Sequence, residues 1–154
     1  MDWENSTSRI GFRDATKNEE GHAVLGQFHE DVDTSFLDQV FQVISATPQH
    51  TYQILTKRAP QMVNYFKNHS VPANVWLGVS VENRQQGIPR IKEFKKIRAT
   101  VKFLSMEPLL EDLGSIDLKG IHWVMVGGES GNQARPMKEE WVRRIQRQCC
   151  KQQV

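Results

Sequence analysis

Three observations in the sequence predict an α/β fold of parallel β/α repeats. Four short apolar runs, over 52–56, 75–80, 101–105 and 123–126, begin 22 to 26 residues apart. Between them stand segments whose apolar residues recur at helical spacing. Each run also stops at a small polar residue or a glycine, with charged residues just beyond it. Strands alternating with helices at this period form right-handed β/α units on a parallel sheet. Repeated four times, the unit makes either a partial (half) TIM-like barrel or an open parallel sheet. The run 123–126, apolar throughout and closed by Gly127-Gly128, reads as a strand buried on both faces.

Each element has its own justification. Residues 1–27 mix charged residues with Ser, Thr, Asn and Gly, and their apolar residues (Trp3, Ile10, Phe12, Val24, Leu25) are scattered, so an irregular N-terminal arm is expected. The β/α domain is expected to occupy 28–154. Asp33 or Thr34 is placed to cap a helix carrying Phe36, Leu37, Val40, Phe41 and Ile44 inward, and Pro48 ends it. A helix over 60–67, with Pro60 in its first turn, would turn Met62, Val63 and Phe66 inward. A third over 88–97 would bury Ile91, Phe94 and Ile97. A fourth over 138–152 would bury Trp141, Val142, Ile145 and Cys149. Trp76 and Trp123 fall inside strand runs and read as core.

Composition bounds the function. Twenty Lys and Arg against eighteen Asp and Glu leave a net charge of +2, too small for the footprint of a dedicated nucleic-acid binder. The two cysteines, Cys149 and Cys150, are adjacent, which gives neither a disulfide framework nor a metal-ligand spacing, and a reducing cytoplasmic setting is expected. No apolar run approaches the ~20 residues of a spanning helix. A membrane partner is therefore not expected.

The polar residues gather at the ends of the runs: Lys57 and Arg58, Glu82 and Asn83, Glu107, and Glu129 and Ser130, with Arg135 a little further on. In a β/α barrel these positions form one rim, where active sites are built. Paired carboxylates there suit acid and base work or a divalent cation, with Lys57, Arg58 or Arg135 holding an anionic group. Glu, Asn and Ser also serve as helix caps at strand-to-helix turns, whatever the function. His29-Glu30-Asp31 reads as helix entry or a metal ligand with a base beside it. Lys92, Lys95, Lys96, Arg98 and Lys102 form the densest basic patch and read as a solvated helix face.

Several longer motifs occur in order: Phe28-His29-Glu30-Asp31-Val32, Thr47-Pro48-Gln49-His50-Thr51, Gln53-Ile54-Leu55-Thr56-Lys57-Arg58 and Asn74-Val75-Trp76-Leu77-Gly78-Val79-Ser80-Val81-Glu82. They continue with Phe103-Leu104-Ser105-Met106-Glu107-Pro108-Leu109-Leu110, Trp123-Val124-Met125-Val126-Gly127-Gly128-Glu129-Ser130-Gly131 and Ala134-Arg135-Pro136-Met137. Through them the stretch 28–154 resembles the bacteriophage Gp-thirty-seven/Gp-sixty-eight family, a domain family of unknown function related to radical S-adenosylmethionine proteins.

The resemblance implies a radical-SAM-like β/α barrel whose full-length members hold a [4Fe–4S] cluster on an N-terminal three-cysteine motif. That motif is absent here, the first 27 residues do not resemble the family's N-terminal half, and its aromatic-rich continuation is missing after Val154. The expectation is a phage-associated equivalent of the C-terminal half of such a barrel, without an iron–sulfur cluster and without radical chemistry. The Gly-Gly-Glu triplet at 127–129 lies on the last strand, so the methionyl-binding role of the early-strand motif in radical-SAM enzymes is not carried over to it. An accessory or binding role is expected. The alternatives are an enzyme holding a small anionic or nucleotide-like substrate at the strand-end carboxylates, and an interaction module for a host protein or nucleic acid. No cofactor is expected, S-adenosylmethionine or a divalent cation being the ones to test. A homodimer or a complementary half-barrel chain is the expected partner, because four strands leave two open edges.

Overall fold

The computed structural model describes residues 28–29 and 31–154, so the arm at 1–27 and Glu30 lie outside the described residues. Eight elements follow one another: α1 (Thr34–Ala46), β1 (Tyr52–Thr56), α2 (Ala59–Tyr65), β2 (Val75–Ser80), α3 (Arg84–Phe94), β3 (Val101–Met106), β4 (Trp123–Val126) and α4 (Glu139–Gln152). The strands form one sheet in the order β1-β2-β3-β4, every neighbouring pair parallel. The architecture is thus the α/β sheet of parallel repeats that the period predicts. Strand order never reverses, the order that right-handed crossovers over one face of a parallel sheet produce, and residues 107–122 link β3 to β4 without a helix.

Register divides the sheet into two unlike faces. Tyr52, Ile54, Val75, Leu77, Val79, Leu104 and Met106 share the helix-covered side and join Ile44, Met62, Tyr65, Ile91 and Phe94 in one buried core. On the other side a line of partners runs Leu55, Gly78, Phe103, Trp123. Phe103 is only 1% exposed yet stands outside the helix-side core. Its ring lies over Gly78, where an added Cβ would come within 2.2 Å of it. Trp123 stands 6.0 Å from Phe103 and 6.1 Å from Trp76, centroid to centroid, and completes an aromatic layer on this second face.

That arrangement corrects three expectations. Trp76 is half-buried and Trp123 is 39% exposed, because both sit on the face away from the helices and are not part of the core. The 123–126 strand is not buried on both faces: among the described residues β4 is an edge strand, and Val124, Met125 and Val126 are half-buried. Phe36 is 52% exposed, since α1 buries the stripe Leu37, Val40, Phe41 and Ile44 while Phe36 and Val43, seven apart, share an outer stripe.

Helix starts follow their caps. The Asp33 carboxylate accepts from the Ser35 amide at 3.0 Å and starts α1. The Asn83 side chain accepts from the Gln86 amide at 2.9 Å and starts α3 at Arg84, four residues before the expected position. In α2 the buried residues are Ala59, Met62 and Tyr65, with Val63 and Phe66 half-buried on the flanks. Ile97 is buried just past α3. In α4 only Ile145 is fully buried, and Trp141, Val142 and Cys149 are half-buried. This helix docks largely through polar groups: Gln148 bonds the Gly114 carbonyl and Ile116 amide, and Gln152 the Ile116 carbonyl and Leu118 amide.

Asn74 ties α1 to the sheet. Its amide nitrogen donates to the carbonyls of Ile44, Thr47 and His50 at 3.0, 3.3 and 3.1 Å, so one side chain satisfies the end of α1 and the turn into β1. Asn74→Ala would leave the Ile44 and Thr47 carbonyls with the amides of Thr47 and His50 but would strip the His50 carbonyl of its Asn74 bond, and is expected to cost about 1 kcal/mol in urea unfolding. A loss below about 0.5 kcal/mol would show that water replaces the amide. Among the described residues no helix is long and apolar enough to cross a membrane.

Candidate functional site

Parallel strands bring the residues beyond their carboxyl ends to one rim. Register matches Thr56 with Val79, Ser80 with Ser105 and Met106 with Val126, so Lys57, Glu82, Glu107 and Glu129 all follow the same end of the sheet. Backbone bonds hold the rim together: Val81 donates to Ser105, Leu110 to Glu82, Leu109 to Gly127, and Gly127 to Met106. Lys57, Glu82, Glu107 and Glu129 thus stand beyond the carboxyl ends of the four strands. What they do there differs from residue to residue.

Glu82 is a buried carboxylate, 6% exposed, held between two cations. Lys57 Nζ contacts one oxygen. Arg90 Nη1 donates to the other at 2.6 Å and to the Ser80 carbonyl at 3.0 Å, while its Nη2 donates to Gln86 Oε1 at 2.9 Å. Burial alone would raise the Glu82 pKa, but the bonds from Lys57, its own backbone and Arg90 outweigh it and hold the carboxyl below its ordinary range. Arg90 is the functional residue that the motifs do not reveal. Its signal is indirect: with Asn83 as cap, Gln86 and Arg90 fall four apart on one side of α3. The Lys57 side chain, 62% exposed, reaches Glu82 from the solvent side of the rim.

Glu129 closes a loop on itself. Arg135 donates to it from Nη2 at 2.5 Å, from Nε at 2.7 Å and from its backbone amide at 2.9 Å, a two-pronged clamp. The side-chain and backbone bonds from Arg135 push the Glu129 pKa down to about 2. Ser130 is exposed in the same loop, and Gly131 takes a φ of 107° that a side chain would resist. Glu107 is different. It is exposed, its one hydrogen-bond partner is the Ser105 hydroxyl at 3.5 Å, and among the described residues it has no ion pair. A Cβ on Gly127 would stand 2.7 Å from Glu107 Oε1, the movable end of this exposed side chain. Asn83 is the α3 cap, and the Arg58 amide donates to the Thr56 hydroxyl at 3.0 Å.

Residues 22–154 match the family model described as a protein of unknown function, DUF5131. The chain belongs to this family. No curated protein matches the chain. No solved structure matches it either.

The donor set of this DUF5131 chain can be tested against the groups its motifs suggest. A [4Fe–4S] cluster needs several converging thiolates, and the chain offers only Cys149 and Cys150, adjacent on α4. Burial pushes the Cys149 thiol up, away from thiolate. The residues present do not fit a cluster. For a divalent cation, no three His, Cys, Asp or Glu side chains converge among the described residues. His29 and Asp31 approach to 3.2 Å, and Glu30 lies outside the described residues.

The DUF5131 chain departs from expectation in its basic patch. Lys102 is 8% exposed and is not part of a solvated face. Its ammonium donates to the carbonyls of Ile97 at 3.1 Å and Lys95 at 3.3 Å and lies 5.8 Å from the Phe94 ring centroid. It satisfies carbonyls just beyond α3 at the cost of desolvation, which lowers its pKa. Away from the rim, a groove of about 490 Å³ runs between α1 and α2, lined by Phe28, Leu37, Asn64, Tyr65 and His69. No rim carboxylate lines it.

Proposed function

We propose that this chain is an accessory, phage-associated binding module built on half of a radical-SAM-like β/α barrel, holding a small ligand that joins an anionic group to hydrogen-bond donors. The observation that carries the reading is the division of labour among the rim carboxylates. Glu82 and Glu129 are already satisfied by their own cations and stay ionised. A general base works best with a pKa near the operating pH, and both carboxyls are driven the opposite way. Glu107 is left with acceptor capacity, and the Lys57 ammonium, 62% exposed and bound to one Glu82 oxygen, keeps further donor capacity on the same rim. That combination suits recognition better than proton transfer. The phage association rests on the motif likeness alone, and radical chemistry is set aside because the two cysteines cannot hold a cluster.

S-Adenosylmethionine is the natural probe, since it joins a carboxylate to ammonium and amino donors. Calorimetric titration of the chain is expected to show saturable binding. Glu107→Gln should weaken it about tenfold, which is about 1.4 kcal/mol. Magnesium and a DNA duplex are the contrasting titrants. If S-adenosylmethionine gives no heat, if magnesium binds in its place, or if DNA binds with a steep salt dependence, the reading is wrong.

A further inference from the structure

We infer that the groove between α1 and α2 binds a flat heteroaromatic ring of the nucleobase class, stacked on His69 and held at its edge by carboxamides. None of the rim residues above lines this groove, so it stands apart from the rim reading. A column of rings leads from the core to its mouth. Phe41 and Tyr65 stack at 5.3 Å and 25°, and Tyr65 and His69 at 4.1 Å and 7°. The first two rings are buried, whereas the His69 side chain is 37% exposed, and among the described residues no second ring covers it. The column therefore ends in an open imidazole face.

That face is fixed in place. His69 Nδ1 lies 2.8 Å from the Tyr65 carbonyl oxygen and Nε2 lies 3.3 Å from the Asp38 carboxylate, so both ring nitrogens are engaged within the chain. The Tyr65 hydroxyl holds Asp38 in turn, donating to it at 2.9 Å. Burial, aided by that bond, pushes the Tyr65 phenol up, so the proton stays on the donor. Engaged at both nitrogens, His69 is neither a free base nor a metal ligand, and its ring face is what it has left to offer. A ring ordered before the ligand arrives loses little rotamer freedom on binding, which favours a stacked complex.

The surroundings select the class of ligand. Two cavities, of about 490 and 470 Å³, share Tyr65, Asn68 and His69 and fall within the size range of small-molecule sites. Among the described residues no Lys or Arg lines either one, so a phosphate or carboxylate finds no counter-charge there. The apolar liners Phe28, Leu37 and Tyr65 are buried and leave little surface for a purely apolar ligand. What remains is polar and neutral: Gln61, Asn64 and Asn68, three and then four residues apart along α2 and the turn after it, line the larger cavity. Of these side chains only Asn64 has a hydrogen bond among the described residues, a long one from Lys67 Nζ at 3.4 Å. A carboxamide presents donor and acceptor together, the pairing that matches the edge of adenine, and bases stack on imidazole as on other aromatic rings.

Proton NMR of the full chain during titration with adenosine tests this. The His69 ring protons should move upfield along a saturating curve with a midpoint of about 1 mM or below. Those of His50 and His122, which line neither cavity, should stay in place. Ribose, which has no base, should move none of them. His69→Ala should weaken binding about tenfold, the loss of one base–aromatic stack, with an unchanged far-ultraviolet spectrum. His69→Phe keeps a flat ring at the position and should restore most of the affinity. Still His69 resonances at about 10 mM adenosine, equal movement with ribose, a His69→Ala variant that binds as tightly as wild type, or a His69→Phe variant that binds no better than His69→Ala would each overturn the inference. Should His69→Ala fail to fold, the wild-type shifts and His69→Phe decide it. Adenosine carries no carboxylate and no methionyl amine, so the outcome does not depend on whether the rim takes S-adenosylmethionine.

Discussion

Replacing Arg90 by Met is expected to cost about 3 kcal/mol of unfolding free energy at pH 7. The estimate follows from what is left behind. Glu82 is 6% exposed, and it would keep Lys57 but lose the guanidinium that fills its second oxygen and also satisfies the Ser80 carbonyl. Breaking a buried pair from one side strands a charge in a poorly solvated place, which costs more than the intact pair contributes. The surviving contact from Lys57 keeps the figure at the low end of the range. If Arg90→Met costs less than about 1 kcal/mol, solvent screens the pair as it screens surface ion pairs, and the rim is wetter than described.

The pH dependence follows with a definite sign. Glu82 ionises more readily in the folded chain than at its ordinary value of 4.5. Its contribution is therefore fully present above that value and is lost as pH falls through the lower folded value. The gap between wild type and Arg90→Met should be widest near neutrality and narrow below about pH 4.5, where the carboxylate takes up its proton. Adding Glu82→Gln to Arg90→Met should recover part of the loss at pH 7 and remove most of this pH dependence. A gap that stays constant down to pH 3 would place the cost in lost packing of the Arg90 side chain and not in its charge.

How much of this was legible in the sequence depends on the range of the interaction. The repeat of apolar runs gave the strands nearly residue for residue, because apolar side chains stand on both faces of the sheet, in the helix-side core and in the aromatic layer, and each run ends where the chain turns. Helix starts were less legible. Asn83 begins α3 at Arg84 through one hydrogen bond, and the apolar spacing, which begins at Ile88, does not register it. The rim positions were legible because parallel strands put equivalent ends together. Their pairings were not, since Arg90 reaches Glu82 from a neighbouring helix and Arg135 folds back on Glu129 through a loop. Lys102 shows the same limit: its neighbours in the sequence are basic, and only the three-dimensional path of the chain past α3 brings carbonyls to its ammonium. Trp76 and Trp123 were misjudged for a related reason. A strand residue alternates between faces, and the sequence does not say that one of the two faces lacks helices.

The aromatic layer on that face supplies the other large expected effect. Gly78→Val should destabilise the chain by about 3 kcal/mol, because a Cβ at residue 78 would lie 2.2 to 2.6 Å from three carbons of the Phe103 ring and the strand backbone cannot retreat from its two neighbours. Phe103→Ala should cost about 3 kcal/mol by itself, since a 1% exposed ring is removed and Trp123, its neighbour at 6.0 Å, is left against a gap. The two changes are complementary in shape: the valine enters the space that the ring vacates. The double variant is therefore expected to be more stable than the sum of the two losses implies, by at least about 1 kcal/mol, in a cycle of urea denaturations. Strict additivity would mean that Phe103 swings clear of Gly78 when crowded. A coupling of the expected size means that the ring is held in place within the chain, as its 1% exposure indicates.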